Sequence, residues 1–121
     1  MKKNIHILLV VLFGFSCNGP LDNGKEKFID DLISKMTLEE KVGQMTQINL
    51  TVIARGPNKW SSSFPMEIDD DKANKALVDF KVGSVLNTIN NTAQKPSVWF
   101  KNISKIQDIA MNNNRLGIPV I

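Results

Sequence analysis

The residues best suited by type to acid–base or cation chemistry are two groups of carboxylates. Glu39 and Glu40 are adjacent, and Asp69, Asp70 and Asp71 run consecutively. A catalytic acid and base must face a common point. Neighbours on a helix point about 100° apart, so Glu39 and Glu40 do not form such a pair. The aspartate run lacks the alternating spacing and the distal Glu of a calcium loop, and it is expected as the solvated start of a helix. Asp108 is expected as a surface charge. Asn87 follows a short apolar run, and its amide can both donate to and accept from hydroxyl groups. It is the one substrate-binding candidate, against a plain role in the loop. The sequence holds one histidine, His6, and one cysteine, Cys17. No Ser-His-Asp or Cys-His arrangement is expected, nor a disulfide framework or a cysteine-rich zinc site. No metal and no organic cofactor is expected.

The elements that must position these residues begin after an export signal. Lys2 and Lys3 precede a continuous apolar stretch from Ile7 to Phe13, extended by Gly14 and Phe15. A membrane-spanning helix needs about 20 apolar residues, so this stretch suits the core of a secretory signal peptide. Ser16-Cys17 then resembles the processing site of a bacterial lipoprotein, with Gly14 where Leu is usual. Residues 1–16 are expected to be removed and Cys17 to carry the lipid, with a plain secretory signal as the alternative. The turn-rich residues 17–24 are expected to tether the membrane anchor to the folded part. The sequence has 15 Lys+Arg and 12 Asp+Glu, a net charge of +3. Removing Lys2 and Lys3 leaves 13 against 12, or +1. That near-neutral balance gives no electrostatic case for nucleic acid.

From Lys25 to Met36, the spacing of Phe28, Ile29, Leu32, Ile33 and Met36 predicts an amphipathic helix. Thr37 and Glu40 have the spacing of a capping box for a second helix, with Leu38, Val42 and Met45 on one face. Gln44 to Leu50 tends toward an extended segment, and Arg55 to Pro65 reads as a long loop. Asp69–Asp71 open a third helix, where acidic residues suit the positive end of the helix dipole. Val82 to Leu86 has strand character. Pro96 opens a fourth helix, with Trp99, Ile103, Ile106 and Ala110 recurring along it. Ile118 to Ile121 begins another buried strand. Strand, helix and strand in this order imply a parallel pair. A strand at Ile121 would need further neighbours to cover it, so the sequence is expected to be the N-terminal part of a longer protein. The Asn-x-Ser/Thr triplets at Asn49, Asn90 and Asn102 carry no expectation.

The string Ile33-Ser-Lys-Met-Thr-Leu-Glu-Glu-Lys-Val-Gly-Gln-Met45 resembles the N-terminal signature of glycoside hydrolase family 3. Val82-Gly-Ser-Val-Leu-Asn87, Ile106-Gln-Asp-Ile-Ala110 and Leu116-Gly-Ile-Pro-Val-Ile121 follow in that family's order. The resemblance covers roughly residues 26–121 and is weakest over 51–67. Within the family the sequence looks most like secreted bacterial β-glucosidases, with β-xylosidases next. The resemblance implies an α/β fold, the N-terminal portion of a (β/α)8 barrel preceded by helices and incomplete as given. It also implies retaining hydrolysis of terminal β-glucosides in oligosaccharides by two carboxyl groups about 5 Å apart. In the family the nucleophilic Asp comes late in the barrel and the acid/base Glu usually lies in a second domain. A substrate-binding Asp follows the Leu-Gly-Ile-Pro-Val-Ile strand. None of these three has a counterpart in this sequence, so no catalytic residue is carried over and the chain alone is expected to be inactive.

In such a barrel, active sites lie at the carboxyl ends of strands, which is why Asn87 is nominated. Trp60 could stack on a sugar ring, though a packing anchor for its loop is the favoured role. Trp99 is expected in the core. The implied location is the periplasm or outer membrane, reached through the Sec pathway. The alternative is a small, non-catalytic envelope lipoprotein serving as a binding or structural module.

Overall fold

The computed structural model describes residues 23–58, 60–86 and 93–121. The chain divides into two units, residues 1–32 and 33–121. The expected export signal, Cys17 and Asn87 all lie outside the described residues.

Helix α1 spans Asn23–Lys35, with Glu26 in its first turn and Lys35 in its last, each at the favourable end of the dipole. Its stripe residues Phe28, Ile29 and Ile33 are exposed. Helix α2, Leu38–Gln44, starts at the expected capping box. The Glu40 N–H donates to the Thr37 hydroxyl at 3.2 Å, and the Thr37 N–H donates to Glu40 Oε2 at 2.8 Å. Two otherwise orphaned backbone donors are satisfied by one pair of side chains.

Strand β1, Gln47–Asn49, emerges from the segment expected to be extended. A 3₁₀ turn follows at Leu50–Val52. Helix α3, Asp70–Asn74, is capped by Asp69, whose carboxylate accepts the Lys72 N–H. It widens into a π-helical turn over Lys75–Asp79, closed by the Phe80 N–H on the Lys75 carbonyl. Strand β2, Ser84–Leu86, lies parallel to β1, with Gln47 opposite Ser84 and Asn49 opposite Leu86. The Gln47 amide donates to the Ser84 hydroxyl across the pair at 2.8 Å.

Helix α4, Pro96–Asn113, has Pro in its first turn, where a missing N–H does no harm. It buries Asn102, Ile106, Ile109 and Ala110 and half-buries Trp99, while Ile103 is 39% exposed. The buried stripe is therefore rotated toward Asn102 from the face that the apolar residues alone indicate. Beyond α4, the Ile121 N–H donates to the Gly83 carbonyl and the Val85 N–H to the Ile121 carbonyl. That is a parallel bonding pattern on the second edge of β2. Gln107 holds both backbone groups of Val120, donating to its carbonyl and accepting its N–H.

The architecture is thus mixed α/β, with helices around a short parallel sheet. The core gathers Leu50, Ile53, Met66, Ile68, Leu77 and Ile106, each at most 2% exposed, with smaller residues between them. All of them belong to the unit 33–121.

Helix α2 meets the turn before β2 in close backbone contact. A Cβ on Gly43 would lie 2.5 Å from the Lys81 Cβ and from the carbonyl oxygens of Phe80 and Lys81. A Cβ on Gly83 would lie 2.5 Å from the Gln44 carbonyl. The Gly83 N–H donates to the Gly43 carbonyl at 3.0 Å. Lys81 itself takes a left-handed φ of 59°, and the Gln44 amide donates to its carbonyl. With Gly43 turned inward, Leu38, Val42 and Met45 face outward and are exposed.

Candidate functional site

Because β1, β2 and the bonds of Ile121 are all parallel, Asn49, Leu86 and Ile121 end on the same side of the sheet. Ligands of parallel α/β sheets bind outside such carboxyl ends. Asn49 sits at that boundary. Its side-chain oxygen accepts both the Thr51 N–H, at 2.9 Å, and the Thr51 hydroxyl, at 2.8 Å. This fixes the side chain, and its amide nitrogen has no partner among the described residues. The sequence reading passed over Asn49. The available signal was a Thr two positions on, the spacing at which an asparagine oxygen caps a turn.

The connection from Asn49 to Asp69 is built rather than slack. Ala54 and Ile68 form an antiparallel bridge. The Arg55 N–H donates to the Glu67 carbonyl at 2.8 Å and the Asp69 N–H to the Ile53 carbonyl at 2.9 Å. Arg55 and Glu67 also pair through their side chains at 3.2 Å. Asn102 clamps the returning strand from beneath. It is 2% exposed, accepts the Ile68 N–H at 3.1 Å, and donates to the Met66 and Val98 carbonyls at 3.0 and 2.8 Å. One side chain thereby supplies three partners to buried backbone groups. At the tip of the connection, Trp60 is 77% exposed. It is therefore not packed into the core, and hydrogen bonds hold the loop around it.

The carboxylates go to structural tasks. Asp69 caps α3, and Asp70 pairs with Lys105 at 2.8 Å. Asp108 is exposed. Among the described residues no group of three or more His, Cys, Asp or Glu could hold a metal ion. Glu40 works at the opposite end of the sheet, before β1. Arg115 donates to Glu40 Oε2 at 2.7 Å and to the Lys35 carbonyl at 2.8 Å. Arg115 and the Thr37 N–H hold the Glu40 carboxyl below its ordinary range, outweighing the opposing effect of desolvation. The Glu39 carboxyl is lowered by its own backbone N–H and the Thr37 hydroxyl. Arg115 is a second residue the sequence reading missed, since nothing in its surroundings of Asn114 and Leu116 marks a partner 75 positions away.

An open groove of about 610 Å³ runs over Leu38, Val42, Ile48, Phe80 and Val82. It is apolar apart from Glu39, Thr46 and Asp79 at its margin, and it offers no convergent polar groups for chemistry. Among the described residues no helix is long and apolar enough to cross a membrane.

The sequence is similar to two characterised proteins. It is 30% identical over 111 residues to a lysosomal beta glucosidase of Dictyostelium discoideum, an alignment covering 82% of this chain and 12% of that protein. It is 32% identical over 110 residues to a periplasmic beta-glucosidase of Salmonella typhimurium, covering 90% of this chain and 11% of that one. The chain therefore spans about a ninth of the length of these relatives. No family model matches the sequence.

Proposed function

We propose that this chain is the N-terminal part of a longer, exported glycoside hydrolase of family 3 that removes terminal β-glucosyl residues from oligosaccharides. The observation that carries the reading is the similarity to two β-glucosidases over some 110 residues, nearly the whole chain. The parallel order of β1, β2 and Ile121 is what the start of a (β/α)8 barrel requires.

In this reading the chain contributes framework and rim, and the two carboxyl groups of a retaining mechanism come from sequence beyond it. Glu39 and Glu40 are not substitutes, being bound up in the cap before β1. Asn87 stays the candidate for a substrate hydroxyl after β2, and the amide nitrogen of Asn49 joins it after β1. Neither supplies acid–base chemistry. Both can only orient hydroxyls. The lipid on Cys17 would hold the enzyme at the periplasmic face of a membrane, and the periplasmic relative supports export.

The test is to read the transcript past codon 121, express the whole open frame from Cys17, and assay p-nitrophenyl β-glucoside. Hydrolysis by the long product and none by residues 17–121 is expected. A stop codon after Ile121, together with cooperative unfolding of the monomer, would instead make the protein a non-catalytic envelope module.

A further inference from the structure

Asn114 closes helix α4 with an amide that is used at one end only. Its nitrogen donates to the Leu77 carbonyl at 2.9 Å and to the Ala110 carbonyl at 3.1 Å. Those two acceptors fix which way the amide lies, since turning it over would set its oxygen against two carbonyl oxygens. Its Oδ1 is buried and accepts no hydrogen bond from any described residue. Burying a polar oxygen without a donor is costly.

Asn114 borders a cavity of about 20 Å³, together with Glu40, Gln44, Lys81, Leu116 and Ile118. Leu77 and Ala110, which hold the nitrogen, do not border it, so the end of the amide turned to the cavity is the oxygen. Glu40 brings a second acceptor. Its side chain is only 12% exposed. Oε2 takes both the Thr37 N–H and Arg115, and Oε1 has no partner among the described residues. Lys81 brings donors. Its ammonium donates to the Val78 carbonyl, which uses one of its three protons, and its charge is felt at the Glu40 carboxylate.

A water molecule needs a cavity of about 10–15 Å³ and makes about three hydrogen bonds there. The space therefore admits one water and not two. A metal cation would join two fixed positive charges, Arg115 and Lys81, with one carboxylate to balance all three. A halide would face two acceptor oxygens, and any organic ligand is too large. Only a neutral molecule that both donates and accepts suits all three groups.

We infer that this cavity holds one ordered water molecule, which donates to Asn114 Oδ1 and Glu40 Oε1 and accepts from the Lys81 ammonium. The water joins three stretches far apart in the chain: the first turn of α2, the turn before β2 and the end of α4. It is part of the framework that aligns the strands, and it does not depend on the proposed activity.

The experiment is a crystal structure of the full translation product at a resolution that shows ordered solvent, with a second crystal soaked in rubidium bromide. A single peak about 2.7–3.2 Å from Asn114 Oδ1 is expected, without anomalous signal after the soak. Asn114→Leu removes the acceptor and fills the space, and should lose the peak. An anomalous peak at this position would show an ion and overturn the inference. So would the absence of solvent density in wild type, a side chain occupying the cavity, or the same peak persisting in Asn114→Leu. Should that variant not fold, the wild-type crystals alone decide.

Discussion

Replacing Gly43 by Ala sets two physical effects directly against each other. In an ordinary helix interior the change is stabilising by about 1 kcal/mol, because Ala loses less backbone freedom than Gly. In α2 the new methyl would lie 2.5 Å from the Lys81 Cβ and from two backbone oxygens, of Phe80 and Lys81. Comfortable heavy-atom contacts are about 3.5–4.0 Å, so the turn must retreat by roughly 1 Å. That turn is pinned by the Val82 N–H on the Ala76 carbonyl, the Gly83 N–H on the Gly43 carbonyl, and the Gln44 amide on the Lys81 carbonyl. Overpacking of this kind costs about 1–3 kcal/mol, and losing one of those hydrogen bonds adds about 1 kcal/mol. The clash should win, leaving a net loss of about 1–3 kcal/mol. With a urea dependence of about 1.5 kcal/mol per molar, the unfolding midpoint should fall by roughly 1–2 M. Fluorescence-monitored urea denaturation of the variant beside wild type measures this. A midpoint equal to or above wild type would refute the close approach of α2 to the 80–83 turn.

Other substitutions test the remaining joints. Asn102→Leu should lose about 2–4 kcal/mol, because the Ile68 N–H and the Met66 carbonyl are left buried without partners; amide exchange at Ile68 should accelerate in parallel, and unchanged exchange would contradict the clamp. Thr37→Ala should cost about 1 kcal/mol through loss of the cap, read from the same urea curves. The Glu40 carboxyl is depressed in the folded state. Its contribution is therefore present above the unfolded pKa, near 4.5, and is lost as pH falls through the lower folded value. Arg115→Ala should flatten that acid-side decline, and a profile identical to wild type below pH 5 would show that the Arg115–Glu40 pair does not form.

What was legible in the sequence was local. The Thr37–Glu40 box, the acidic start of α3 and Pro96 each act within a few residues, and each sits where its spacing placed it. The parallel pairing of the Val82–Leu86 run with the segment ending at Ile121 was also accessible, since an apolar run after a helix has few ways to return. What failed to show was action at a distance. Asn102 carried no expectation because nothing nearby announces that the backbone of residues 66–68 will lie against α4 and need partners. Arg115 and Gly43 are of the same kind, for their roles come from residues tens of positions away. Trp60 misled for another reason. Aromatic residues usually bury, whereas this one is 77% exposed.

The two ends of the sheet are built to opposite purposes. Before β1 and β2, glycines bring backbones together and Gln44, Glu40 and Arg115 spend their polar groups on one another and on nearby carbonyls. Such a closed arrangement stabilises the chain but has little left to offer a ligand. After the strands, the pattern reverses. Asn49 uses its oxygen to fix itself, and its amide nitrogen has no partner among the described residues. A side chain that is fixed yet unspent is what binding requires, because its ordering entropy has already been lost in folding and is not charged again when a ligand arrives. That asymmetry, more than any single residue, is why the strand-end face and not the better-packed end is the place to look for ligand contacts.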